Sequence, residues 1–353
     1  MNPTVEFGTI LDNRVKDIFP VTGPRIKEEF REHSTKIDDK QRLHTLTGVT
    51  GLSMGEVIAD GQVPYADAPI QGFTKTYTQQ IFSKRLRLSR ASMYYLFQNG
   101  DAAKIKGDIE TQVMDVKDAI VHAKNYYVQA MFYGAYNSSV AWTSLNSVGN
   151  TVNIDTTSID GVAAFSTTHP REDGGASWSN IIVSGTNNPT FSFTALLAAR
   201  AQHILKKDGR GLPITDTSLN TFVCLQDSQT FFLAQSIKKT LTNGKYPSVL
   251  ISGGTVALTT PTSLVDGNPT EAFEIKTFMN YGSLGWTSLA WMMYDSRMID
   301  ARRGLLHIES MPLELIEAQD VLGGLDYVKT AIEYCTFGFG DMRPYMFSNG
   351  LNA

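Results

Sequence analysis

Residues 101–134 of the chain read DAAKIKGDIETQVMDVKDAIVHAKNYYVQAMFYG, and this stretch predicts one long α-helix at 101–133. Its apolar residues recur every three or four positions, which places them on one face of a helix. They are Ile105, Ile109, Val113, Val116, Ile120, Ala123, Tyr127 and Ala130. Asp101 suits an N-cap, and Gly134 suits a left-handed C-terminal cap. Such a helix is about 48 Å long at roughly 1.5 Å per residue. No second stretch predicts a helix of similar length, which argues against a coiled coil. We therefore interpret this helix as a support against which a sheet and loops pack.

Composition limits the class of protein. The chain has 353 residues, of which 42% are hydrophobic and 19% charged, values typical of a folded protein with a sizeable core. The formal net charge is -4 and the chain lacks a lysine or arginine run, so sequence-specific nucleic-acid binding is not indicated. Neither a signal peptide nor an apolar run of the ~18 residues that a membrane helix needs is present.

The two cysteines, Cys224 and Cys335, lie in apolar strand-like runs and lack CxxC spacing. Neither a disulfide framework nor a zinc site is indicated, and we expect two buried free thiols in a protein that folds in a reducing cytoplasm.

Residues 1–45 are predicted to be irregular, because prolines and glycines interrupt their few apolar residues. One interpretation is a solvated linker. The other is an arm whose Phe7, Phe19 and Phe30 dock on a neighbouring subunit.

Residues 46–90 predict a long two-stranded excursion with turn-forming residues near its tip. An isolated two-stranded ribbon is marginally stable in water, so we expect other chains to hold this one. The alternative is a flexible surface hairpin. It is disfavoured because it would leave the side chains of Tyr65, Ile70, Phe73 and Tyr77 exposed to water.

The remaining elements are read from periodicity and turn signals. Helices are predicted at 194–206 and after a cap at Asp227, and short strands at 222–225, 249–251, 262–265 and 289–294. Residues 313–347 are predicted to be rich in strands.

One cluster has the ingredients of nucleophilic catalysis: Ser166, His169 and Asp173. A catalytic triad is defined by geometry, however, and a GxSxG nucleophile elbow does not surround Ser166. The six histidines are scattered without metal-ligand spacing, and the glycines at 209 and 211 follow a helix instead of opening one. We therefore predict that the chain is not an enzyme and has neither a cofactor nor a metal.

The order of these features resembles the major capsid proteins of tailed bacteriophages with the Hong Kong 97 fold, in the branch with a Mu-like head subunit. The stretches that carry the resemblance are ADGQVPYADAPIQGFTKTYTQQIF at 59–82, the helix at 101–133, AAFSTTHPREDGGASWSN at 163–180, LAARAQHILKKDGRGLPI at 197–214, and the closing YCTFGFGDMRP followed by SNG. Together they span nearly the whole chain.

The resemblance implies an α+β fold in five parts. Residues 1–47 would be an N-terminal arm, and 48–90 an extended β-hairpin loop that reaches over an adjacent subunit. A peripheral domain at 91–194 would contain the long helix as its spine. Residues 195–312 would form an axial α/β domain, and 313–353 would return to the peripheral domain.

It also implies a structural subunit that self-assembles into the hexamers and pentamers of an icosahedral head around double-stranded DNA, located in the virion and assembled in the host cytoplasm. Expected contacts between subunits are Phe7, Phe19, Tyr65, Ile70, Phe73, Tyr77 and Phe82. Expected partners are sister copies, a portal, a decoration protein and DNA that is contacted without sequence specificity; a membrane is not expected. An encapsulin-like compartment, a hydrolase using Ser166 and His169, and a monomeric binding module are the alternatives.

Two departures from the family pattern bear on assembly. Relatives often carry a cleaved N-terminal scaffolding region, whereas Met1 here stands directly on the arm, so we expect a separate scaffolding protein. Some relatives join subunits through a lysine–asparagine isopeptide bond, for which Lys75, Lys84 and Asn349 are the candidates; a strand lysine is more often a solvated edge charge.

Overall fold

The computed structural model describes residues 13–351 with gaps at 14, 51, 53, 58–61, 64–65, 67, 89–101, 145–148, 215–218, 243–249, 252–253, 256–272, 282–285 and 318–326. Helices and sheets are both present in quantity, which confirms the α+β class. Among these residues, none of the helices is long and apolar enough to cross a bilayer.

The long helix is present and runs over Ala102–Gly134, here α2. Asp101, the predicted N-cap, lies outside the described residues. The predicted left-handed cap at Gly134 is wrong, because Gly134 is not among the glycines with positive φ. This glycine serves close packing instead: a Cβ there would lie 2.5 Å from the Cβ of Val140 on the next strand.

Helix α2 packs on a four-stranded sheet whose strand order is β1-β14-β15-β4. These strands span Ser34–Asp38 (β1), Gln80–Leu88 (β4), Leu305–Glu317 (β14) and Tyr327–Phe339 (β15). β1 runs parallel to β14, and the other neighbours are antiparallel. Lys124 of α2 donates to both carboxylate oxygens of Glu333 on β15 at 2.9 Å, and both side chains are buried. This ion pair joins the helix to the middle of the sheet.

From residue 15 onward the N-terminal segment packs against its own chain and contains regular elements, so the prediction that 1–45 is irregular is wrong for part of the described residues. Residues 15–21 are helical, and a short helix α1 (Glu29–His33) leads into β1. Phe19 is 8% exposed and Phe30 is fully buried in the core around α2. The expectation that these two rings reach a neighbouring subunit overlooked the face of α2, which already gives them a place within the chain.

A second four-stranded sheet has the order β12-β9-β13-β16. Its strands are Thr221–Leu225 (β9), Glu274–Phe278 (β12), Trp291–Tyr294 (β13) and Tyr345–Ser348 (β16). Helix α3 (Phe193–Ile204), capped by Ser192, and helix α4 (Gln229–Thr242) belong to this half of the chain. Ser228, not the predicted Asp227, accepts the capping hydrogen bond of α4 from the Phe231 amide.

This second sheet has a core of its own around Phe222, Trp291 and Met346. The predicted strand at 222–225 is present as β9 and is one residue longer, whereas those at 249–251 and 289–294 are present in shortened form as Leu250–Ile251 (β10) and β13. The strand predicted at 262–265 lies outside the described residues. Of the strand-rich end, β14 and β15 join the first sheet, whereas β16 joins the second.

Smaller strand pairs complete the fold. They are Leu43–Val49 with Gln71–Thr78 (β2 and β3), Ser139–Thr143 with Thr151–Asp155 (β5 and β6), Val183–Ser184 with Thr186–Asn187 (β7 and β8), and β10 with Gly254–Thr255 (β11). The β2–β3 pair carries the excursion of the predicted ribbon. The ribbon is shorter than the predicted 46–90, because β4 at the end of that range pairs with β15 of the first sheet.

Candidate functional site

The base of the β2–β3 ribbon is fastened to the first sheet by Tyr77. Its ring is 5% exposed and packs with Leu46 and with Leu306 and Ile308 of β14. Its hydroxyl donates to the Phe339 carbonyl at 2.8 Å. Gly338 makes room for the ring, since a Cβ there would lie 2.2 Å from it. This end of the ribbon is therefore part of the core.

Lys75 adds a second attachment on the same strand. Its ammonium lies 3.0 Å from an Asp155 carboxylate oxygen and 2.9 Å from the Thr157 hydroxyl. Burial lowers the pKa of Lys75, and the attraction of Asp155 opposes that shift. A lysine held in this way is not free to attack an asparagine of another subunit, so the geometry disfavours it for an isopeptide bond. Lys84 is exposed on β4.

Beyond its base, the ribbon leads into an excursion at 52–70, of which the structure describes residues 52, 54–57, 62–63, 66 and 68–70. Hydrogen bonds between Thr50 and Ile70 hold its two ends together. The Thr50 amide donates to the Ile70 carbonyl at 3.0 Å, and the Ile70 amide donates to the Thr50 hydroxyl at 3.0 Å. Arg210 reaches across to the Ala68 carbonyl. These bonds fix where the excursion leaves the body of the protein.

The excursion exposes apolar side chains. The fractional exposures are 56% for Leu52, 74% for Met54, 103% for Val57, 90% for Val63 and 48% for Ile70. Single exposed apolar residues are ordinary, but several on one short segment are typical of a surface that another molecule covers.

The seven predicted contact residues divide into three groups. Phe19, Tyr77 and Phe82 are buried within the chain, at 8%, 5% and 7% exposure, which leaves little of each ring for a neighbour. Ile70 is exposed and Phe73 is partly exposed, so both can still contact another copy. Phe7 and Tyr65 lie outside the described residues. Tyr77 and Phe82 lie on strands and Phe19 on the helical stretch 15–21, and their burial depends on which face of these elements meets the core, which turn signals do not reveal.

The Ser166 cluster does not have the geometry of a triad. The Ser166 hydroxyl accepts from the Thr168 amide at 3.2 Å, and Asp173 pairs with Arg171. His169 is fully buried and its Nδ1 lies 2.7 Å from Asp160. Burial raises the pKa of Asp160, but hydrogen bonds from His169 and Ser158 outweigh it and leave that pKa below its usual value.

The His169 ring stacks on Trp178, with centroids 4.1 Å apart and planes at 14°. Arg343, which pairs with Glu172 at 2.6 Å, and Lys206 both lie over the same indole. The loop at 163–180 therefore uses its polar residues to fasten itself to the C-terminal strands. This structural role accounts for the burial of His169, so a catalytic role is not needed to explain it.

The fold also brings together three residues that sequence spacing did not connect. His307, Glu333 and Cys335 are buried, and their potential ligand atoms lie within 4.8 Å of one another. Lys124 already donates hydrogen bonds to both carboxylate oxygens of Glu333 and balances its charge. Burial raises the pKa of the Cys335 thiol well above its usual value. A protonated thiol beside a paired carboxylate is a poor cation site. Both cysteines are buried free thiols, as predicted.

Comparisons with known proteins give structural matches only: no family model matches the chain, and neither does any curated protein. The capsid of a native GTA particle is similar over 93% of this chain and 92% of its own, with 9% identity and a TM-score of 0.48. A structure from Gordonia phage Cozz covers 93% of this chain and 91% of its own, with 10% identity and a TM-score of 0.46. The procapsid of bacteriophage JBD30 covers 99% and 76%, with 11% identity and a TM-score of 0.42.

Proposed function

We propose that this protein is the major capsid protein of a tailed bacteriophage, a structural subunit that assembles into an icosahedral head around double-stranded DNA. The observation that carries the proposal is the excursion at 52–70, whose apolar side chains are exposed while the strands that bear it are fastened into the core. The order of the sequence motifs resembles that of Hong Kong 97-type head subunits, and this resemblance is the reason for proposing an icosahedral shell.

The physical reasoning concerns solvation. Burying apolar surface contributes about 25 cal/mol per Å², and the four most exposed apolar side chains of the excursion have no such burial within the chain. A segment anchored at its base and apolar beyond it is suited to contacts with sister copies. In a closed shell each such contact can be weak, because every subunit is held by several neighbours at once.

The five predicted parts keep their roles in this proposal, with three adjustments. Strand β4 would belong to the peripheral part and not to the extended loop at 48–90, because it pairs with β15 in the first sheet. The N-terminal arm at 1–47 would be docked on its own subunit from residue 15 onward, since Val15 and Phe30 are buried there. Strand β16 would contribute to the axial part at 195–312, because it pairs with β13. Helix α2 and the first sheet would form the peripheral part.

The remaining partners also belong to the proposal. Sister copies would form hexamers and pentamers, and a separate scaffolding protein and a portal would direct assembly in the host cytoplasm. With a net charge of -4, an inner wall would contact packaged DNA without gripping it. A decoration protein is a further candidate partner.

The proposal is tested by assembly of the purified full chain, followed by sedimentation and electron microscopy. We expect closed shells from the unaltered protein. A variant with Leu52→Ser, Met54→Ser, Val57→Ser and Val63→Ser should fold normally and lose most of its assembled fraction. Deleting residues 60–80, an alternative test, would also remove Tyr77 from the core, so these four substitutions are the sharper change.

The matched control is Leu205→Ser with Phe232→Ser, which removes two other exposed apolar side chains, at 76% and 58% exposure. Those substitutions should leave assembly unchanged. A stable monomer at high concentration would contradict the proposal, and shells from the fourfold variant would contradict the role of the excursion. Particles that enclose proteins instead of DNA would favour the encapsulin-like alternative.

A further inference from the structure

The turn that follows helix α3 is held in shape by its own hydrogen bonds. The Asp208 amide donates to the Leu212 carbonyl at 2.8 Å. The Asp208 carboxylate accepts from the backbone amides of Arg210 and Leu212, both at 2.8 Å. Gly211 supplies the positive φ of 84° that closes the turn. The backbone that carries Arg210 is therefore fixed locally.

This turn contacts both ends of the excursion. The guanidinium of Arg210 donates to the Ala68 carbonyl, two residues before Ile70. On the other end, a Cβ on Gly209 would lie 2.8 Å from Cγ2 of Thr50, so the turn packs closely against that residue. Thr50 and Ile70 are the pair whose hydrogen bonds hold the two ends together.

The turn also rests on the loop at 163–180. A Cβ on Gly209 would lie 2.6 Å from a carboxylate oxygen of Glu172, and one on Gly211 would lie 2.7 Å from the guanidinium of Arg171. Glycine at both positions therefore allows the turn to approach this loop more closely than any other residue would.

The support beneath the turn is ionic and mostly buried. Arg343 pairs with Glu172 at 2.6 Å and with Asp341 at 2.9 Å. Lys206, at the start of the turn, donates to the Arg343 carbonyl at 2.8 Å, and both cations lie over the ring of Trp178. Hydrogen bonds between charged partners are stronger than neutral ones, so the turn is attached firmly to the C-terminal strands.

The contact at Ala68 has a geometric consequence. The hydrogen bonds between Thr50 and Ile70 join the two ends of the excursion at one place, and a single junction of this kind leaves rotation about it unopposed. Arg210 adds a contact farther along the excursion, from residues 142 positions away in the sequence. A second point of attachment opposes that rotation.

We propose that Arg210 is a positioning residue that braces the excursion at Ala68 and sets the direction in which it leaves the subunit. The inference rests on the proposed function. An excursion that is already oriented loses less conformational freedom when it meets a sister copy, so the same contact is stronger.

Distances between two spin labels, measured by pulsed electron resonance on the dilute full chain, test the brace. The labels are attached at Val63→Cys in the excursion and at Thr186→Cys on the exposed strand β8, and the two native thiols are buried. With Arg210→Ala we expect the distribution of distances to become about twofold broader, because the excursion loses its second attachment. The thermal midpoint should change little, since the Arg210 side chain is only partly buried.

Two further variants separate the brace from a general effect of losing an arginine. Arg210→Lys keeps a cationic donor and should restore most of the narrow distribution. Arg302→Ala removes an exposed arginine from the loop before β14 and should leave the distribution unchanged. Equal widths in the unaltered chain and Arg210→Ala would overturn the proposal, and so would equal broadening by Arg302→Ala.

Assembly of the unlabelled chain connects the brace to the shell. Arg210→Ala should raise the protein concentration needed for assembly about fivefold, whereas Arg302→Ala should not change it. Assembly of Arg210→Ala at the concentration that the unaltered chain needs would overturn the role of the brace between subunits.

These outcomes are distinguishable from failure of the proposed function. If the unaltered chain forms no shell but Arg210→Ala broadens the label distances, the brace is confirmed and the shell is not. If shells form but the label distances are equally narrow in both proteins, the shell stands and the brace is excluded.

Discussion

The N-terminal segment at 15–38 and the excursion at 52–70 both looked, from their sequences, like chain without a partner of its own. In the structure they behave in opposite ways. Phe30 in the first segment is fully buried and lies against Lys124, His307 and Phe337. In the excursion, by contrast, Val57 is as exposed as in an extended chain.

The difference lies in backbone pairing as much as in apolar content. Residues 34–38 form a strand parallel to β14, and the preceding helix delivers Phe30 and His33 into the core. The excursion has turn-forming residues and three carboxylates instead of a strand pattern. In this chain the segment that pairs with β14 also docks its aromatic rings, whereas the described residues of the excursion form no strand and keep their apolar side chains exposed.

The largest test of this contrast is Phe30→Ala. Removing a buried phenylalanine ring costs about 3–5 kcal/mol, so we expect the free energy of unfolding to fall by that amount. Equilibrium urea denaturation measures it. A loss below about 1 kcal/mol, the typical effect of a point mutation, would mean that the N-terminal segment is only loosely docked.

Acid should loosen the same segment through His33. This ring is buried against Phe278, its two nitrogens have no hydrogen-bond partner, and burial together with nearby Lys276 and Lys27 lowers its pKa to about 3. Because the folded state keeps the ring neutral, its contribution is complete above the ordinary pKa of 6.5. Stability is then lost as the pH falls below 6.5, by up to about 2 kcal/mol at pH 5.

His33→Phe isolates that effect, since it preserves an aromatic ring and breaks no hydrogen bond in the structure. We expect the variant to lose less stability than the unaltered protein between pH 6.5 and pH 5, measured by urea denaturation at each pH. Two other buried histidines, His203 and His307, also have their pKa values lowered to about 3 by burial, so a residual slope remains. Identical slopes in the two proteins would show that His33 is accessible to protons in the folded state.

A smaller effect is expected at the base of the ribbon. Tyr77→Phe keeps the packed ring and removes the hydrogen bond to the Phe339 carbonyl. A hydrogen bond of this kind contributes about 1 kcal/mol to stability. Thermal denaturation should therefore show a modest decrease, and no change would mean that water replaces the hydroxyl.

The sequence predicted the parts of the fold that depend on local periodicity. The 33-residue helix α2 and the strands at the C-terminal end follow from spacing. The pairing of β1 with β14 does not, because it joins residues about 270 positions apart and depends on a match that local pattern does not encode. The candidate site was only partly predictable for the same reason. The turn-forming residues of the excursion can be read from the sequence. The burial of Tyr77 cannot, because it depends on the space left by Gly338 near the other end of the chain.

The smallest effect on stability should come from the excursion itself. Val57→Ser removes a fully exposed side chain, and surface substitutions usually change stability by less than about 0.5 kcal/mol. Leu46→Ser on strand β2, where the side chain is 7% exposed beside Tyr77, is the matched substitution and should cost several times more, measured by the same urea denaturation. Equal losses would mean that the excursion packs on its own chain, and the contrast between the two regions would then have to be abandoned. If the losses differ as expected while Val57→Ser reduces assembly, the exposed valine acts between subunits and not within one.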